Sequence, residues 1–152
     1  PYRGSEDGTT DYAAAIVETY KNKISGPILD RIDLWLEVPH VDYKTLTQKK
    51  TKEKETEEAR KQILKARDIQ INRFEDRGIT SNDQMSARDI EEKITLKSEV
   101  ADLLKISSQK LNLSPRSHHR IIKIARTIAD LDEEKDIETK HVFEALQYRV
   151  QL

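Results

Sequence analysis

The 152-residue sequence contains no cysteine, only four glycines and four prolines, one tryptophan, two phenylalanines and one methionine. Without cysteine there are no disulfides and no thiolate metal sites, a pattern that fits a cytoplasmic protein. Four glycines cannot build a glycine-rich phosphate cradle and the turns as well, and no Gly-x-x-x-x-Gly-Lys-Ser/Thr occurs. The scattered aromatics cannot line a single-strand channel. Trp35 and Tyr148 read as packing or interface residues. A net charge of −1 implies no global attraction to nucleic acid or to a membrane, so any such attraction must be local. No apolar run could span a bilayer, and no signal peptide is visible, so no membrane partner is expected.

What is abundant is charge. Lys and Arg number 27 and Asp and Glu 28, against 36% hydrophobic residues, which describes a helix-rich chain with a modest core. The acids are unevenly spread. Between Asp102 and Asp130 there is none, yet that interval holds Lys105, Lys110, Arg116, Arg120, Lys123, Arg126, His118 and His119. Within it, Ser114 suits an N-cap and Pro115 the first helical position. Helical spacing puts Arg116, His119, Arg120, Lys123 and Arg126 on one arc and Ile121, Ile124, Ala125, Ile128 and Leu131 on another. The expectation is a helix with an apolar stripe inward and a cationic stripe outward. The cations gather toward its positive end, an arrangement suited to phosphate. A solvated charged face is the plainer reading, but ordinary surface helices mix signs and this one does not.

A second pattern lies at Ile28–Val38. Gly26-Pro27 marks a turn. Ile32, Leu34, Leu36 and Val38 then alternate with Asp33, Trp35 and Glu37, which predicts a strand ended by Pro39. Arg31 sits at the corner. It is either paired to Asp30 or Asp33 or held for delivery to a phosphate, a task its planar guanidinium suits better than lysine would.

Elsewhere the periodicity predicts a helix over 12–23 and a polar linker over 41–56, whose nearly all-polar run over 48–56 reads as mobile or frayed helix. A long helix over 57–74 carries Ala59, Ile63, Ala66 and Ile69 inward and stops at Gly78. Shorter helices follow over 86–94, 97–111 (Val100, Leu103, Leu104 and Ile106 inward), 115–132 and 139–148 (Val142, Ala145 and Leu146 packed). The fold class is mainly α: a small helical bundle preceded by a helix and one strand. His40, His118, His119 and His141 have no metal-ligand spacing and read as surface or capping residues, so no metal site is expected. Ser114 and Ser117 read as caps rather than nucleophiles.

Ile24-Ser-Gly-Pro-Ile-Leu-Asp-Arg-Ile-Asp-Leu34, together with Leu113-Ser-x-Arg…Arg120…Ala-Arg-Thr-Ile-Ala-Asp-Leu131, resembles the magnesium-chelatase-type AAA+ ATPases, in particular their ComM/YifB-like branch. Ala66-Arg67-x-x-Gln70-x-x-Arg73-Phe74, Asn82 and His141-Val-x-Glu-Ala-Leu-x-Tyr-Arg149 add to the likeness, which runs from about Tyr20 to Arg149. The Walker A and B elements of that family are missing. Residues 1–19 depart from its pattern, and the first of them are expected to be partly non-native additions. Trp35 replaces a common histidine.

The resemblance implies a C-terminal piece of an ATPase. Residues 1–40 would be a remnant of the α/β nucleotide-binding core, 41–56 a linker and 57–152 the helical lid. It makes Arg116 the sensor-2 arginine, with Arg120 as second candidate, and Arg31 the arginine finger acting in trans. ATP and Mg²⁺ would be cofactors of the parent and not of this piece, which alone should be inactive. The partner would be self, in a hexameric ring, with DNA as the macromolecule worked upon. A magnesium chelatase subunit is the alternative, as is a helical module that binds nucleic acid or protein without an ATPase role.

Overall fold

A computed structural model describes residues 31–36, 38 and 52–149. The chain divides into two units, one of Pro1–Lys50 with Val150–Leu152 and one of Thr51–Arg149. In the first, Arg31 stands exposed at a turn. The alternating segment carries no strand among its described residues, and Ile32, Leu34, Leu36 and Val38 are all exposed, Val38 by 80%. Period-two alternation marks residues suited to a pleat, but a strand exists only as part of a ladder with a neighbour. The predicted helix over 12–23 lies outside the described residues.

The second unit is a helical bundle. Helix α1 covers Lys52–Arg73 and a 3₁₀ turn Asn82–Gln84; α2 covers Ala87–Lys93, α3 Ser98–Lys110, α4 Pro115–Leu131 and α5 Thr139–Gln147. Helix α1 begins within the segment expected to be linker, because the mixed-charge run from Lys52 continues a helical sequence with no Gly or Pro to stop it. Its packed residues also differ from expectation. Ala66, Gln70 and Phe74 are buried and Ile69 partly so, whereas Ala59 and Ile63 are exposed. Only the C-terminal half of α1 meets the bundle, and helical periodicity cannot tell where a helix outruns its partners.

Local signals place the other ends. Ser86 Oγ accepts from the Asp89 N–H at 3.2 Å and the Asp89 carboxylate accepts from the Ser86 N–H at 2.8 Å, a reciprocal cap on α2. Ser114 Oγ accepts from the Ser117 N–H at 3.1 Å. Caps of this kind contribute about 1 kcal/mol each.

Helix α4 is the axis, packed by α1, the 3₁₀ turn, α2 and α5, while α3 lies on α5. It is therefore buried more widely than one stripe. Ile122 and Ala129 join Ile121, Ala125 and Ile128 inside, while Leu131 is exposed and Ile124 only partly buried. Phe74, Leu104, Ile137 and Val142, each under 2% exposed, close the core around it. Each such side chain contributes about 1.5–3 kcal/mol. Ile106 faces out, contrary to expectation.

Candidate functional site

The first turn of α4 holds Arg116 exposed, with no acidic residue in that turn. Pro115 sets the helical start and Ser114 ties the Ser117 amide, so Arg116 projects from a fixed corner rather than a fraying end. Beneath it, His118 turns inward. Its Nδ1 lies 2.9 Å from Ser108 Oγ of α3, and its ring meets His119 edge-on at 6.1 Å. Burial, and then the neighbouring His119, hold His118 below the ordinary imidazole pKa. That favours the neutral ring at the α3–α4 seam.

The expected cationic stripe separates into three environments. Arg116 is exposed and Arg120, one turn on, is half-buried and engaged. Lys123 donates to the Asp83 carbonyl at 2.8 Å, fastening the 3₁₀ turn to α4. Arg126 is not on the outward face at all, being only 4% exposed. Its Nε donates to Asp130 Oδ1 at 3.0 Å, and its two terminal nitrogens donate to the Lys135 and Glu134 carbonyls at 2.8 and 2.6 Å. Burial pushes its pKa down, while the Asp130 charge works in the opposite direction. The sequence signal was available: Asp130 stands four residues after Arg126, a helical ion-pair spacing.

Asp130 is the centre of a cluster that the sequence did not point to. It is fully buried and accepts from both terminal nitrogens of Arg73, from Asn82 Nδ2 at 2.8 Å and from Arg126. Those bonds use about all the lone-pair directions a carboxylate has. Asn82 is held in turn by Arg73 (2.9 Å), Thr127 (3.0 Å) and the side chain of Gln70 (3.2 Å). Gln70, Arg73 and Asn82 are residues on which the family resemblance drew, and here they form one connected group.

Arg116 and Arg120 thus share α4, while Arg31 belongs to the other unit. His141 is buried and caps α5: its Nδ1 accepts from the Glu138 N–H at 2.9 Å and its Nε2 lies 3.3 Å from Asp132. Among the described residues no three His, Asp or Glu side chains gather as metal ligands, and no helix is long and apolar enough to cross a membrane. His40 lies outside them.

Comparison with known proteins gives these positions a context. Residues 53–149 match the C-terminal family of the magnesium chelatase subunit ChlI, and residues 2–46 match the magnesium chelatase subunit ChlI family. The chain is 36% identical over 148 residues to the competence protein ComM of Haemophilus influenzae, covering 97% of this chain and 28% of that protein. It is 34% identical over 130 residues to the uncharacterised protein YifB of Salmonella typhimurium and to that of Escherichia coli, covering 86% of this chain and 25% of each. It therefore spans about a quarter of the length of these relatives. The match from residue 2 corrects the expectation that residues 1–19 depart from the family pattern. With residues 53–149, well over half of its length, matched, the chain belongs to the C-terminal family of the magnesium chelatase subunit ChlI.

Proposed function

We propose that this chain supplies the C-terminal lid of an AAA+ ATPase, in which Arg116 contacts the terminal phosphate of ATP bound by the same subunit. Arg31 would reach nucleotide bound by a neighbouring subunit in a ring. The observation that carries the reading is the exposed guanidinium of Arg116 on a capped first turn free of acid. The positive helix end and a permanent planar cation both favour a phosphate oxygen there.

The residues present fit one part of a nucleotide site. They offer cations for the phosphates, while the sequence holds no loop to cradle them and the described residues gather no carboxylates for Mg²⁺. ATP supplies the phosphoryl group; Arg116 and Arg31 orient it and offset the charge that builds up on its oxygens during transfer. This chain by itself would bind nucleotide weakly and hydrolyse none.

In the parent, the hydrolysis would be coupled to work on DNA, a reading in keeping with the competence role named for the Haemophilus influenzae relative. Metal insertion by a magnesium chelatase is the competing reading, in keeping with the family's description. Phosphate release by the longer protein tests the common core of both. Arg116→Ala should lower the rate roughly 100-fold or more. Normal turnover in that variant would move the role to Arg120 or end the phosphate reading.

A further inference from the structure

An ionic cluster is built into the C-terminal end of α4. Arg73 has a side chain only 15% exposed, Arg126 5%, and Asp130 none. One buried and one partly buried cation face one buried anion, and carbonyls, Asn82 and Thr127 complete the shell. Apolar residues of similar volume commonly replace such groups at no loss of stability, so burial of this charge is poorly explained as a source of it. What the charged version adds is direction. Arg73 presents a fork to both oxygens of Asp130, which fixes distance and angle together, whereas apolar contacts tolerate sliding.

The three elements joined here are the end of α1, the 3₁₀ turn and the end of α4. Arg116 stands at the opposite end of α4, about 21 Å away along the axis at the helical rise per residue. A 10° tilt about the cluster would carry Arg116 through about 4 Å, beyond hydrogen-bond reach of any phosphate oxygen it had been set to meet.

We propose that Asp130, clamped by Arg73, Arg126 and Asn82, is a positioning residue that sets the angle of α4 against α1 and so the place where Arg116 is delivered. The geometric half of this stands without any ligand. The functional half rests on the phosphate reading of Arg116.

The chain has no native cysteine, so spin labels can be placed cleanly through Lys61→Cys on α1 and Arg116→Cys on α4. The double-labelled chain should give a narrow distance distribution. In the apolar variant Arg73→Met/Arg126→Met/Asp130→Leu the chain should remain folded, and the distribution should broaden or shift by about 3 Å or more, as the lever length implies. The same narrow distribution in the folded triple variant overturns the proposal. Should that variant not fold, Arg73→Lys decides instead: it keeps the charge, loses the fork, and is expected to broaden the distribution, and no change overturns the proposal.

In the longer ATP-hydrolysing protein, the folded triple variant should lower kcat, and adding Arg116→Ala to it should cost little more, because both act through one contact. Fully additive losses would overturn the link between clamp and arginine. Normal turnover in Arg116→Ala alone would instead remove the phosphate reading and leave the distance result standing.

Discussion

Gly78, Asn112 and Glu133 hold positive φ angles of 67°, 47° and 59°, each just after a helix or its closing turn. Glycine adopts this region freely and asparagine tolerates it, but glutamate carries a penalty of about 1–2 kcal/mol. At Glu133 the chain accepts that penalty to close the Schellman-type turn in which the Glu134 N–H donates to the Ala129 carbonyl at 2.8 Å. The Lys65–Glu133 pair, 2.7 Å long and exposed on both sides, offsets little of it. Glu133→Gly should therefore stabilise the chain by about 0.5–1 kcal/mol. Gly78→Ala should cost about 1 kcal/mol through its backbone alone, since nothing lies within 4 Å of the added Cβ. Urea midpoints of the two variants check both signs.

His118 gives a pH dependence. Its folded-state pKa lies below the ordinary value, so the unfolded chain takes up the proton first. The stability it contributes is complete above the unfolded value of about 6.5 and is lost as pH falls below it. Unfolding free energy should decline as pH falls through about 6.5, and less steeply in His118→Gln. Equal slopes would contradict the account. At this scale the sequence revealed caps, because Ser114-Pro115 and Ser86 act on neighbours. The inward turn of Arg126 is harder to read, because its cationic type suggests solvent and the i,i+4 spacing to Asp130 does not by itself tell a buried pair from an exposed one.

At the scale of elements, the helices were legible from spacing and punctuation, and α2, α3, α4 and α5 lie within a residue or so of where periodicity put them. Helix α1 shows what periodicity leaves out. Its sequence is helical throughout, yet residues 54–65 are exposed and burial begins at Ala66. Tertiary packing, not propensity, supplies most helical stability. Amides of residues 56–63 should thus exchange with water through local opening at small cost, while those of 69–73, beside Phe74 and the Arg73–Asp130 clamp, should approach the protection of the global core. Uniform protection along α1 would contradict a half-supported helix. The clamp itself was not legible, since its partners stand 57 and 48 residues apart in the chain. The alternating segment 32–38 shows the converse: its pattern is clear, but a ladder depends on a neighbour that its own residues do not specify.

For the whole molecule, the family resemblance in the sequence rests on motif residues scattered between Ile24 and Arg149, of which only some sit in the proposed phosphate site. If Arg31 acts across a subunit boundary, an Arg31→Ala parent should bind ATP and fail to hydrolyse it. Mixing it with subunits disabled in their own phosphate loop should restore part of the activity, whereas an arginine acting within its own subunit would give no rescue. The central claim, that Arg116 meets the terminal phosphate, is tested most directly by comparing ATP and ADP affinities of the longer protein with and without Arg116→Ala. The account predicts that the variant loses affinity for ATP, by about 1.5–3 kcal/mol as expected for a charge-assisted contact, while ADP binding stays as it was. Equal weakening of both nucleotides, or of neither, would contradict it.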